Sequence, residues 1–225
     1  MRIQYYLIHN NDIRREERMI EEFRKGNIKI DDVKWILKPT RREITRDFIE
    51  KYVARGITKT CGIDTNAQTQ LSVGGMICTY KHYLALEDMI NNNYEYGVIM
   101  EDNMRFEGDV SKRVEEYIEE LNNIDKDWDI LFDNEWLKYD ESEIKEGVNV
   151  YLKSNEITDK CHGGTRLAQF YLLNIRCAKK LYDNYIPFNN APDWYMNDLF
   201  RKLNIRSYWS EPSIVKIWKH TSTIY

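Results

Sequence analysis

The chain lacks the spacings that mark a metal knuckle, a membrane span or a nucleic-acid surface. Its four cysteines, Cys61, Cys78, Cys161 and Cys177, stand far apart, and no two have the close spacing of a zinc-binding pair. They are expected as free thiols in a reducing compartment. No apolar run approaches the roughly 20 residues that a membrane-spanning helix needs. Residues 1–9 are too short and too polar for a secretory leader, so any work at a membrane is expected at its cytosolic surface. A basic field is missing as well. Lys and Arg number 33 against 37 Asp and Glu, which gives a net charge of −4 and a pI near 5.7. With both signs interspersed, nothing attracts nucleic acid non-specifically. Internal repeats, low-complexity segments and linkers are also absent, so residues 1–225 are expected to form one domain.

What is present is an ordinary globular composition, 42% hydrophobic and 31% charged. Residues 3–8 are apolar and β-rich, a first strand. Asn10-Asn11-Asp12 can turn the chain and cap a helix over residues 13–25, with Ile13, Met19, Ile20 and Phe23 on one side and Gly26 at its end. Residues 33–37 read as a second strand, stopped by Pro39. The opening β-α-β is the signature of a parallel sheet. Helices are then expected over 45–53, from Gly74 through Met89, over 110–121, over 175–185 and over 193–203. Strands are expected up to Met100 and over 128–132, 148–152, 167–173, 206–209 and 214–217. Residues 61–70 read as loop, and the charged stretch 139–147 reads as a flap. The fold class is α/β, with a central sheet flanked by helices.

The most informative segment is Val98-Ile99-Met100-Glu101-Asp102-Asn103. A buried strand stops abruptly in two carboxylates and a carboxamide. Open α/β sheets bind ligands at the carboxyl ends of their strands. Hard oxygen donors there suit Mg²⁺ or Mn²⁺, which hold a diphosphate with few protein ligands. The plain alternative is a strand that ends in a solvated loop.

Four other groups could join this chemistry. Ser72-Val73-Gly74-Gly75 precedes a helix whose exposed backbone N–H groups can receive an anion, and His82 follows two turns later. His162-Gly163-Gly164-Thr165-Arg166 permits close approach of the backbone to a ligand. Asp193 starts a helix: it is either an N-terminal cap or a general base for a sugar hydroxyl, with Trp194 as a stacking platform. Asp198 lies on the same helix. His220, in a polar tail, can complete a metal site.

The order of these pieces resembles glycosyltransferase family 25, which includes lipooligosaccharide sugar transferases and collagen galactosyltransferases. The corresponding residues are Arg14, Arg15 and Arg18; Ser72, Gly74, Cys78 and His82; Glu101-Asp102-Asn103; Trp128-Asp129; Gly164-Thr165; and Pro192-Asp193. The chain departs from the pattern at Gly75 (Glu in the family), Lys81 (Ser) and Asn103 (an acid). The resemblance implies a GT-A-like, mostly parallel sheet and a Mn²⁺-assisted (or Mg²⁺-assisted) inverting transfer of galactose or glucose. The donor would be a UDP-sugar and the acceptor a hydroxyl on a glycan or protein. It implies Asp193 as the base, with Asp129 as a second candidate, and Asp102, Asn103 and His220 facing the metal. Asn10, Arg14, Ser72, Gly74, His82, Glu101, Gly164 and Thr165 would line the donor. The departures keep open a non-catalytic sugar-binding module, and the acidic strand end keeps open a metal-dependent phosphohydrolase.

Overall fold

Alternation along each strand divides the apolar side chains between two cores. In the computed structural model, which describes residues 1–54, 71–137, 139–158 and 161–218, β1 (Ile3–Ile8) sends Tyr5 and Leu7 to one core and Tyr6 and Ile8 to the other. The chain continues through α1 (Ile13–Lys25), β2 (Val33–Ile36), α2 (Arg46–Tyr52), α3 (Val73–Asn91), β3 (Tyr96–Glu101), β4 (Met104–Phe106), α4 (Val110–Ile124) and β5 (Ile130–Phe132). It ends with β6 (Val150–Lys153), β7 (Ile157–Thr158), β8 (Cys161–His162), β9 (Phe170–Asn174), α5 (Ile175–Tyr185), α6 (Pro192–Leu203), β10 (Ser207–Ser210) and β11 (Val215–Ile217). Helices α3, α5 and α6 cover one core, and α1 and α4 cover the other.

A seven-stranded sheet lies between the helical layers in the order β2-β1-β3-β9-β5-β10-β6. Strands β2, β1, β3, β5 and β10 share one direction, while β9 and the edge strand β6 oppose them. This is the predicted α/β layout, mostly parallel and flanked by helices on both faces. Among the described residues no helix is long and apolar enough to cross a membrane, and Cys78 and Cys177 are free thiols.

Several expectations shift. Ile13 is 71% exposed rather than packed, because the buried side of α1 is set by Arg15, Met19, Glu22 and Phe23. The strand expected from residue 167 begins at Phe170, since Leu167 sits in the left-handed region with φ 61°. Met104–Phe106, where no strand is expected, pairs with β11 in a small separate sheet. The 139–147 stretch is a loop with a single 3₁₀ turn at Glu141–Glu143, beside the edge strand β6. The loop expected at 61–70 and His220 lie outside the described residues.

What brings β11 to the sheet is a buried carboxylate just past β5. Asp133 accepts from Tyr117 Oη (2.9 Å), Ser213 Oγ (2.5 Å) and the backbone N–H groups of Ile214 (3.1 Å) and Val215 (3.2 Å). Burial pushes its acid up, while Ser213 and Tyr117 pull it down. Removing it leaves these donors buried without an acceptor. Asp133→Ala should therefore lose about 3 kcal/mol of stability in urea unfolding. Lys112→Ala, which breaks only an exposed pair with Glu116, should change little. An unchanged midpoint for Asp133→Ala would show that the staple carries no weight.

Candidate functional site

The parallel strands β2, β1 and β3 all end at one edge of the sheet, with Ile8 opposite both Ile36 and Glu101. The chain leaves β1 through His9 and Asn10, leaves β2 toward Pro39, Thr40 and Arg41, and leaves β3 through Asp102 and Asn103. Above that edge stands the amino-terminal half of α3. Together they enclose a cavity of about 560 Å³, within the range of small-ligand sites. From α3, Gly74, Ile77, Cys78 and Lys81 reach it. Their spacing of three and four residues puts them on one face of the helix.

Asp102 is the anchor of this edge. Its Oδ1 accepts from Arg15 Nη1 at 2.5 Å, and its Oδ2 accepts from His9 Nδ1 at 2.9 Å and from the Asn10 backbone N–H at 3.2 Å. Burial raises the carboxyl, but the His9 hydrogen bond and the Arg15 guanidinium outweigh it, so the acid lies below its usual range. Both oxygens are taken and the charge is balanced by Arg15. As arranged, Asp102 therefore does not fit the role of a metal ligand. Asn103 lines the same cavity, and its Oδ1 is buried without a hydrogen-bond partner. Its backbone oxygen accepts from Trp218 N at 2.9 Å.

Lys81 brings positive charge to the other wall. Its Nζ donates to the His9 carbonyl at 2.5 Å, and burial lowers its pKa to about 8. Arg41 is exposed on the rim and has no carboxylate partner among the described residues. Ser72 caps α3, its Oγ accepting from Gly75 N at 3.0 Å, so it shapes the helix start without lining the cavity.

Behind the cavity wall lies a second cluster. Cys78, His82 and Glu101 bring one ligand atom each to within 4.8 Å of one another. His82 is fully buried. Its Nδ1 meets Tyr171 Oη at 2.7 Å, while its Nε2 has no hydrogen-bond partner and lies 3.5 Å from Glu101 Oε1. An orphaned buried nitrogen of this kind costs about 1–3 kcal/mol. Burial and the neighbouring Glu101 push the Cys78 thiol well up.

The remaining candidates divide. Asn10 lines the cavity. Arg14 points to solvent, and its neighbour Arg15 takes the position expected of it, because a step of one residue turns a helix by about 100°. Gly164 and Thr165 are buried. The Gly164 carbonyl accepts from Ser207 Oγ and Trp209 Nε1, and Thr165 N donates to Asn197 Oδ1, so both residues brace β10 and α6 rather than face the cavity. Asp129 sits at the opposite end of the sheet, where β5 begins. It is paired with Lys180 Nζ at 2.9 Å and with the Arg206 N–H at 3.0 Å, a structural position that rules out its use as base at this cavity. Asp193 starts α6 and accepts from Trp194 N. It does not itself line the cavity; behind burial and Glu101, its charge adds only a small upward push to the Cys78 thiol on the cavity wall. The Asn190 carbonyl, just before it, accepts from Thr79 Oγ1 at 3.0 Å and ties this end of α6 to α3.

His9, Arg15, Arg41 and Lys81 were not among the predicted site residues. His9 and Arg41 follow a strand on the carboxyl side, which is a usable signal. The choice of Arg15 over Arg14, and the inward turn of Lys81, depend on helical phase against partners distant in sequence.

The family model described as glycosyltransferase family 25 (LPS biosynthesis protein) matches residues 3–196. A "Glycosyltransferase 25 family member" from Aedes aegypti is 25% identical over 158 residues, which is 64% of this chain and 25% of that protein. The chain thus spans about a quarter of the length of that relative. The solved structure described as "Crystal Structure of A197 from STIV" is similar at 12% identity and a TM-score of 0.48, over 96% of this chain and 83% of that one. A likeness of that degree carries no argument. The family match, by contrast, runs from β1 into the first turns of α6 and takes in every segment that forms the cavity. The chain belongs to glycosyltransferase family 25.

Proposed function

We propose that the chain transfers a hexose from a UDP-sugar to a hydroxyl of a glycan or protein acceptor, with inversion at the sugar carbon. The observation that carries this reading is the cavity at the carboxyl edge of a family 25 sheet, lined by Arg15, Arg41 and Lys81. Three cationic side chains converge where only Glu101 and Asp102 bring negative charge, and Arg15 already offsets Asp102. That balance suits a diphosphate. Arg15 spends one N–H on Asp102 and keeps other donors in a planar fork for phosphate oxygens. The amino end of α3, at Gly74, adds a favourable dipole.

In the transfer itself, Asp193 takes the proton of the acceptor hydroxyl as its oxygen bonds to the anomeric carbon. The bond from that carbon to the diphosphate breaks, and UDP leaves with its charge held by Arg15, Arg41 and Lys81. Asp102 serves by holding Arg15 and His9 in place. Manganese or magnesium on Asp102 and Asn103 has no part in this reading, since Asp102 is already engaged. That engagement also favours a second reading, a module that binds UDP-sugar without turnover.

Arg15→Ala should weaken UDP binding by roughly 10- to 100-fold in calorimetry, the loss expected for a charge-assisted phosphate contact. Asp193→Asn should leave UDP binding in place and abolish transfer and slow donor hydrolysis; undiminished turnover would remove Asp193 as the base. UDP affinity should fall as pH rises through about 8, where Lys81 loses its proton. The sign follows from its lowered pKa: the ammonium is present below that value and neutral above it. Lys81→Met should bind UDP more weakly and without this pH dependence.

A further inference from the structure

We propose that Cys78, His82 and Glu101 form a binding site for a borderline-soft divalent cation of the zinc class, distinct from the Asp102 clamp. Two of the three ligand-to-ligand distances fit such an ion, and the third, Cys78 Sγ to His82 Nε2, lies within 4.8 Å. Tetrahedral zinc, with bonds of about 2.0–2.1 Å to nitrogen or oxygen and about 2.3 Å to sulfur, needs ligand atoms roughly 3.3–3.7 Å apart. Glu101 Oε1 lies 3.5 Å from His82 Nε2 and 3.7 Å from Cys78 Sγ. The Cys78 thiol donates a long, weak hydrogen bond to Glu101 Oε1, and His82 Nε2 is buried with no hydrogen-bond partner.

The surroundings match as well. Cys78 and His82 are four residues apart on α3, so they share a face, and Glu101 is the last residue of β3. Both supports are regular elements in the core. The Tyr171 hydroxyl at His82 Nδ1 can hold the ring so that Nε2 is the ligating nitrogen, the kind of support that metal-binding histidines use. A thiolate, an imidazole and a carboxylate select zinc over manganese or magnesium. Three protein ligands leave one position for water or another oxygen. Because Cys78 and Glu101 also line the cavity, that position is accessible to whatever the cavity holds. The site does not depend on the identity of the sugar donor.

The test uses the full chain, stripped with chelator and titrated with Co²⁺ as a spectroscopic stand-in. One equivalent should produce near-ultraviolet thiolate-to-cobalt absorption with the visible bands of tetrahedral cobalt. Zn²⁺ should displace it, and a tenfold excess of Mn²⁺ should not. Cys78→Ser and His82→Ala should each abolish the signal, with folding checked by circular dichroism; Cys177→Ser should keep it. Should His82→Ala misfold, Cys78→Ser decides alone. No thiolate band in the wild-type chain, or a band that survives Cys78→Ser, would overturn the site. Arg15→Ala separates this from the donor reading: it should lose UDP affinity and retain the cobalt band.

Discussion

One buried carboxylate holds the ligand edge together. Asp102, at the end of β3, fixes Arg15 of α1, the His9 ring beyond β1 and the Asn10 amide in a single set of hydrogen bonds. His9 then offers its carbonyl to Lys81 of α3. The adjacent elements β1 and α1 are thereby joined to α3 and β3, 72 to 93 residues further along, through the side chains of Lys81 and Asp102. Charge compensation makes this affordable in a buried place, because the guanidinium lies directly against the carboxylate. Without it, Arg15 would have no reason to turn inward, and the cavity would lose a cationic wall.

The opposite end of the sheet uses similar chemistry for a different end. Asp129 is buried even more deeply than Asp102, yet it binds Lys180 and the Arg206 backbone and does not line the cavity at the carboxyl edge. Asp133 ties β11 down through backbone amides and hydroxyls. A carboxylate at a strand end is thus a common device in this fold. Only position relative to the carboxyl edge, and the presence of open space, separates a ligand-facing one from a brace.

This also explains what could be read from the chain directly. The alternation in β1 and β3, the cap at Asp12 and the helix of Gly74 to Met89 follow from local periodicity, and so does the opening parallel βαβ unit. The Glu101-Asp102-Asn103 edge was legible for the same reason: a strand's end is visible in its own residues. The division of labour within that tripeptide was not. Asp102 turns to an arginine 87 positions away, and Glu101 turns back toward Cys78 and His82. Gly164 and Thr165 looked like ligand-loop residues because glycine marks close approach. What approaches them, however, is the protein's own Ser207, Trp209 and Asn197. The three-residue pairing of β4 with β11 is too short to leave a period at all.

Helix α3 carries a further consequence. Gly74, Ile77, Cys78 and Lys81 meet the cavity along one stripe, while Met76, Ala85, Leu86 and Met89 pack into the core. The two stripes are locked in phase by the rod they share. Inserting or deleting one residue between Gly74 and Met89 would rotate everything beyond it by about 100°. Either the polar stripe would then enter the core or the apolar one would enter the cavity. A change of length that a loop could absorb would therefore not be absorbed within α3, where only substitution leaves both stripes in place.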